Sequence, residues 1–402
     1  MTKRCDVAVV GGGAAGLASA ITASRRGSSV IICDRMPILG KKILATGGGR
    51  CNLSNENLGP AAFTASSRSL VESIFVRFGG QDILGFFKSL GLETFREEGR
   101  IFPITNQASS VLRLLEAEIR RLGVGVELGF EAVEVRKRDS LFAVASGDGR
   151  RIEAGSVILA GGGKSYPALG SNGSAYRLAQ SFGHHLILPV PSAVPVLVKD
   201  RMCHVLQGLK VRAKATAVIA GKPGQTAEGE VLFTQYGLSG TAVLDVSESL
   251  SIALNRDGLM SAAVLLDLVP FLARNSLAAR IQKRIKDRWA AEDLALGMLP
   301  EKLSAFIPAL IPPGNRDPVE TAASLAAALK EKRFNVHGTR GWNEAEFTSG
   351  GVDAREVDPR TLESKLQKGL YFAGEMLDVQ GRRGGFNLAW AWASGFVAGL
   401  TE

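Results

Sequence analysis

Val9-Val10-Gly11-Gly12-Gly13-Ala14-Ala15-Gly16-Leu17 is the stretch that decides the fold. Gly11, Gly13 and Gly16 complete G-x-G-x-x-G, in which the first glycine permits a tight turn, the second admits a pyrophosphate against the backbone, and the third lets helix pack on strand. A lone match of this kind is weak, and its surroundings supply the missing context. A valine-rich apolar run at 5–10 precedes it, residues 14–26 follow at helical spacing, and a second apolar run at 29–33 ends on Asp34. That pattern opens a βαβ unit. The unpaired N–H groups of its helix would face a diphosphate, and Asp34 would accept from ribose hydroxyls.

Outward from this unit, helical spacing appears at 69–78, 81–90 and 108–122, and strand-like runs at 124–128, 131–135, 141–145 and 151–160. The last run ends in Gly161-Gly162-Gly163, and 173–182 reads as a helix. Pro189, Pro191 and Pro195 mark a domain crossing. The expected fold is α/β, with a discontinuous Rossmann-type FAD-binding domain at 1–190 and 346–402. Residues 191–345 form an inserted substrate domain, β-rich at 191–268 and helical at 269–330. The final segment returns to the first domain's style, with a strand at 370–373, a glycine-rich turn and a closing helix from 385 to 400.

With 402 residues, 46% of them hydrophobic and 22% charged, the chain can bury substantial cores. Its apolar runs fall short of the roughly 18 residues needed to span a bilayer. The glycines beside the first run fit a phosphate loop better than a signal peptide, so a cytoplasmic location is the default expectation. Cys5, Cys33, Cys51 and Cys203 form no CxxC pair, and the four histidines show no metal-ligand spacing. Neither a dithiol relay nor a metal site is expected. The net charge of +9 would suit RNA or a phosphorylated partner, but it is spread over short clusters such as Arg136-Lys137-Arg138 that read as solvated faces. No feature fixes the oligomeric state.

FAD and NAD share the opening fingerprint. The second glycine element at Ala160-Gly161-Gly162, and a third at Gly374 with Gly384-Gly385, favour FAD, because an NAD-only domain would not need a return from the far end of the chain. At this point the sequence resembles the aminoacetone oxidase or BaiN-like flavoproteins, of the two-dinucleotide-binding-domain type. The resemblance rests on 9–16, GKKILATGGGRCN at 40–52, GRIFP at 99–103, 160–173 with Ser165, Tyr166 and Pro167, LFT at 232–234 with GLSG at 237–240, and the segment from Gly350 to Gly385-Phe386-Asn387. It covers the chain nearly end to end.

The resemblance implies that Lys42 and the loop of Gly47, Gly48, Gly49, Arg50, Cys51 and Asn52 lie along the flavin and its diphosphate. The N–H groups opening the helix at Gly385, Phe386 and Asn387 would face the flavin O2 and N1 edge. Glu375 and Asp378 are candidates for the ribityl hydroxyls. Gly11, Gly13, Ala14, Ala15, Gly16, Asp34, Arg35, Val133, Ala160, Gly161, Gly162, Tyr166 and Gly374 complete the expected cofactor set. Trp390 and Trp392 read as core residues. Many members carry a histidine near Gln235 and Thr241 that is missing here, which removes an obvious general acid. Cys51, Tyr166 and Tyr236 are the remaining proton-donor candidates, although Cys51 reads first as a small buried thiol.

The expected activity is FAD-dependent oxidoreduction, with NAD(P)H as a transient reductant and hydride passing through flavin N5 to an activated C=C bond. The resemblance also implies two alternatives, oxidation of small amines and reduction of rRNA uridine to dihydrouridine, so the substrate is either a small molecule or RNA. A non-enzymatic flavin carrier or sensor is the competing reading from another class.

Overall fold

The computed structural model describes residues 2–311 and 317–401. Residues 1 and 402, in the expected FAD-binding segments, and 312–316, in the expected helical stretch, lie outside the described residues. The chain divides into two compact units, one reaching to Pro189 and resuming at Phe347, the other Val190–Glu346.

The first unit begins with β1 (Thr2–Val10), α1 (Ala14–Arg25) and β2 (Val30–Asp34). Next come β3 (Ser54–Asn55), α2 (Arg68–Arg77), α3 (Gly80–Ser89), β4 (Thr94–Glu97), β5 (Arg100–Pro103), α4 (Ala108–Arg121), β6 (Gly125–Leu128), β7 (Ala132–Arg138), β8 (Leu141–Ser146) and β9 (Arg151–Leu159). A short helix α5 (Tyr176–Gln180) and β10 (Leu186–Ser192) lead out of it.

In the main sheet β1 is central. Val9 lies opposite Ile32 of β2 on one side and Ile158 of β9 on the other, both parallel. Val7 to Val10 are buried, as a strand covered on both faces requires. β6 extends the sheet beyond β2 in parallel, while β7 and β8 add an antiparallel hairpin to the first half of β9. The small sheet β3-β5-β4 is separate and entirely antiparallel.

Val190–Glu346 is organised around a closed six-stranded barrel. Its strands are β11 (Val196–Val198), β12 (Lys210–Ile219), β13 (Lys222–Thr234), β14 (Gly237–Ser239), β15 (Ala262–Asp267) and β16 (Lys332–Thr339). Along β12, Val211, Ala213, Ala215 and Ala217 are buried in alternation with outward residues such as Arg212 and Lys214. Helices α6 (Arg201–Val205), α7 (Thr241–Asn255), α8 (Arg274–Lys286), α9 (Glu301–Ser304), α10 (Ile307–Leu310) and α11 (Pro318–Lys330) accompany it. Two of these elements refine the expected order of strands first and helices later. The 15-residue α7 sits among the strands, and β16 closes the barrel only after the helices.

The chain then re-enters the first unit as β17 (Phe347–Val352), β18 (Leu370–Phe372) and α12 (Phe386–Ala398). β18 pairs in parallel with the second half of β9 and so completes the main sheet. α12 packs along α1 at backbone distance. A Cβ on Gly395 would lie 2.3 Å from the Ala15 carbonyl oxygen, and one on Gly399 2.4 Å from that of Ser19. Only glycine admits such an approach.

Candidate functional site

The phosphate turn is built as its glycines demand. Gly11 has φ +105°, and a Cβ there would meet the Ala160 carbonyl oxygen at 2.5 Å. A Cβ on Gly16 would stand 1.8 Å from the Gly11 carbonyl oxygen, so this glycine seats α1 against the turn. Gly13, with φ −79°, has nothing within 4 Å of its Cβ position. It faces open space at the N-terminus of α1, where an anion is favoured. Ala14 and Ala15 open that helix, and Gly374 packs against the Ala15 methyl.

Asp34 ends β2 beside the turn, as expected, but much of its acceptor capacity is used there. Its carboxylate accepts from the Gly12 amide at 2.5 Å and the Met36 amide at 2.7 Å. Burial pushes its pKa above the usual carboxylate value, and the two amides oppose that shift. The remaining lone pairs can still meet a hydroxyl donor. Arg35 faces Glu131 at 3.7 Å, and Val133 is exposed where the pairing of β7 with β8 shifts register.

Glu375 turns inward. One carboxylate oxygen accepts from the Thr348 amide at 2.7 Å and the Ser165 hydroxyl at 3.2 Å; the other accepts from Lys42 Nζ at 2.8 Å and the Gly163 amide at 3.4 Å. A carboxylate offers about four lone-pair sites. All four are taken within the chain, whereas the described hydrogen bond of Asp378 is the one from Gln380 Nε2 to Oδ1. Lys42 is likewise held between Ser165 (2.6 Å) and Glu375. Replacing Glu375 by Ala leaves the buried Thr348 amide and Ser165 hydroxyl without this acceptor and Lys42 with Ser165 alone, and is expected to cost about 2–4 kcal/mol, read from the urea unfolding midpoint. Lys42→Met keeps three donors on Glu375 and is expected to cost less.

The loop after Lys42 turns through a run of left-handed residues: Gly47, Gly48, Gly49 and Cys51 have φ of 58°, 66°, 88° and 60°. Gly48 is open around its Cβ position. Arg50 points to the protein rather than into the loop. Its guanidinium forks onto Glu97 at 2.9 and 2.8 Å and lies over the Phe102 ring at 4.0 Å. Cys51 is fully buried, and burial pushes its thiol up to about 12. The thiol therefore stays protonated and behaves as the small buried side chain that its surroundings make it.

At the start of α12, Gly384 and Gly385 have φ of 116° and 99°, and the Gly384 carbonyl accepts from Asn55 Nδ2 at 2.9 Å. Phe386 is buried edge-on to Phe63. The Asn387 side chain brackets Gly381, accepting from its amide at 2.9 Å and donating to its carbonyl at 2.8 Å, which shapes the loop before α12. Trp390 and Trp392 are core residues, the first donating from Nε1 to the Gly374 carbonyl at 3.1 Å.

Ala160, Gly161 and Gly162 follow β9, with Gly161 packed on Ala175 and Gly162 on Ser171. Tyr166 adopts φ 54°, a left-handed conformation uncommon for a bulky side chain. Tyr236 belongs to the barrel unit, where the Arg340 guanidinium lies over its ring at 4.6 Å.

Sequence reasoning missed Tyr176. Its ring is buried and its hydroxyl has no partner among the described residues. Burial, with the nearby charges of Glu375 and Asp378, holds its pKa well above the usual tyrosine value. An orphaned hydroxyl beside this glycine framework, together with the open faces of Gly13 and Gly48, fits a bound dinucleotide. No spacing signal marks a single tyrosine in advance.

A second missed node joins Ser364, His184 and Glu356 in the order of a nucleophile, base and acid. The Ser364 hydroxyl accepts from the Leu366 amide (3.1 Å) and the Gln367 amide (2.9 Å), so its proton goes to His184 Nε2 at 2.7 Å. His184 then donates from Nδ1 to Glu356 at 3.0 Å. With both hydroxyl lone pairs occupied, the node pins the chain rather than attacking a substrate.

The profile of the HI0933-like protein Rossmann domain matches residues 5–401. The chain belongs to that family. Two relatives of this HI0933-like chain match over nearly their whole lengths. The 3-dehydro-bile acid delta(4,6)-reductase of Clostridium scindens is 37% identical over 98% of both chains. The ribosomal RNA dihydrouridine synthase of Escherichia coli is 31% identical over 98% of this chain and 97% of its own. Neither is named an amine oxidase. The fold is also that of the 3-ketosteroid delta1-dehydrogenase of Sterolibacterium denitrificans, with a TM-score of 0.54, 13% identity and 99% of both chains covered. This HI0933-like protein is an FAD-dependent oxidoreductase. Among its described residues no helix is long and apolar enough to cross a membrane.

Proposed function

We propose that the chain reduces a carbon–carbon double bond conjugated to a carbonyl, drawing electrons from NAD(P)H. The observation that carries this reading is the full-length similarity to a reductase whose name places the reduced bonds at positions 4 and 6 of a 3-oxo bile acid. When bound, FAD supplies hydride transfer through N5 between nicotinamide and the unsaturated carbon. The chain's own part is to bind and polarise. Gly11 to Gly16 and Gly374 would cradle the diphosphate, Asp34 would meet the ribose, and the amides opening α12 would face the flavin pyrimidine edge. Cys5, Cys33, Cys51 and Cys203 are unpaired and buried, which supports a route without a thiol relay. Tyr166 is a candidate to deliver the proton that completes the reduction.

Anaerobic mixing with NADH or NADPH is expected to bleach the flavin absorbance, and a 3-oxo-4,6-diene steroid is expected to restore it. No bleaching with either nucleotide overturns the proposal. Recovery by oxygen alone points instead to an oxidase. The Escherichia coli relative favours a second reading, because uridine carries the same chemistry in its C5=C6 bond conjugated to C4=O. Dihydrouridine lost from large-subunit rRNA in a deletion strain, and restored with the gene, would select it.

A further inference from the structure

Two successive histidines immediately precede β10, and both reach the return segment of the chain. His184 is buried edge-on to the Phe372 ring of β18, with centroids 4.7 Å apart. His185 is exposed; its Nδ1 meets Glu356 Oε1 at 2.6 Å, and its amide donates to Oε2 at 3.0 Å. The bonds of His184 admit one protonation state. Ser364 spends both lone pairs on the Leu366 and Gln367 amides, so its proton goes to Nε2 and the Nδ1–H goes to Glu356. A second proton, on Nε2, would face the Ser364 proton with no acceptor between them. Burial also holds the imidazole pKa below the usual histidine value, and the hydrogen bond with Glu356 offsets only part of that shift. The charges around the ring are Glu356, which touches it, and His185, which shares that carboxylate. Behind them Arg355 forks onto Asp353 at 2.6 Å, and Lys365 Nζ turns to the Arg355 carbonyl at 2.8 Å.

The node holds the approach to Glu375. The Ser364 amide donates to the Leu370 carbonyl at 2.7 Å and the Phe372 amide to the Leu362 carbonyl at 3.1 Å, so residues 362–364 lie along β18. β18 then runs through Ala373 into Gly374 and Glu375. We propose that Ser364, His184 and Glu356 form a proton-operated latch: one proton taken up by the imidazole breaks the Ser364 bond, frees residues 362–367 from the start of β10, and loosens β18 and the grip on FAD. The proton comes from solvent and returns there on closing. Only the last step rests on FAD as the cofactor. The closed latch binds this proton less readily than the open one, so closure is complete above the ordinary histidine value of about 6.5 and is lost as the pH falls below it. Burial opposes the charge of Glu356, yet hydrogen bonds from His185 and His184 hold its carboxyl below the usual value. Its titration therefore lies in the carboxylate range, apart from that of the imidazole.

The test follows the full chain with its flavin between about pH 7.5 and 5, the range in which histidine titrates. Amide exchange over residues 362–367, corrected for the intrinsic effect of pH, is expected to quicken roughly tenfold or more, since one proton gives at most about tenfold per pH unit. Flavin release, read by fluorescence, is expected to accelerate in the same window. His184→Gln has no proton to take up, so whatever its absolute stability, both curves are expected to lie flat there. His185→Gln leaves the buried imidazole in place and is expected to keep the parent's slope. An exchange slope that survives in His184→Gln, or vanishes in His185→Gln, overturns the latch. Exchange that follows pH while flavin release does not overturns the coupling to the cofactor. A parent chain that takes up no FAD overturns the cofactor assignment instead, and the exchange curves still decide the latch.

Discussion

Gly16→Ala is expected to give no folded, flavin-bearing protein. The methyl group would occupy a point 1.8 Å from the Gly11 carbonyl oxygen and 3.3 Å from Val9 Cγ1. The first obstacle is backbone, so no rotamer change relieves it; α1 has to lift away from the turn and from β1. α1 is simultaneously held at backbone distance by α12 through Gly395 and Gly399, so lifting it strains a second interface. Ordinary overpacking costs about 1–3 kcal/mol. With two seams disturbed, a loss above about 4 kcal/mol is expected, a large part of the ~5–15 kcal/mol that stabilises a typical domain. Soluble yield, urea midpoint and flavin content measure it. A variant with the parent's midpoint and full flavin would show that the helix is not seated on Gly16.

Gly13→Ala separates binding from folding. At φ −79° an alanine is unstrained, and its methyl would enter open space at the N-terminus of α1. The protein is therefore expected to fold with stability within about 1 kcal/mol of the parent, the usual cost of a poorer helix cap. The methyl does occupy the surface on which a diphosphate would lie. A steric cost of about 1–3 kcal/mol there corresponds to FAD affinity roughly 5- to 150-fold weaker, read by fluorescence titration. Unaltered affinity would place the diphosphate elsewhere. Together the two glycines, three positions apart in one motif, are expected to fail in opposite ways.

The sequence discloses this cradle because its requirements are local. A φ of +105° at Gly11 and the close approach at Gly16 leave glycine as the only residue type, and the βαβ periodicity on either side is strong. The partners of charged side chains are not local. Glu375 meets Lys42, Ser165 and Thr348, groups far apart along the chain, so no spacing rule could show that its carboxylate is satisfied before any ribityl hydroxyl arrives. Arg50 was equally opaque, since its forked pairing with Glu97 depends on how β4 meets β5. In the barrel, β16 reads Lys332-Arg333-Phe334-Asn335-Val336, with only alternate positions apolar and a helix just before it. Its role in closing the barrel with β11 and β15 becomes visible only through pairing.

The division of the first unit between two distant chain segments also sets a timetable. During synthesis at roughly 5–20 residues per second, β1, α1 and β9 emerge early, yet β18 and α12 follow the whole of Val190–Glu346 by several seconds. The barrel is contiguous and can close while its neighbour still lacks a strand, a helix and the Gly384–Gly385 turn. A nascent chain at that stage holds the Gly11 to Gly16 turn without the β18 strand that completes its sheet. A slow or stalled passage through the return segment would leave an exposed, half-built α/β sheet for chaperones to shield.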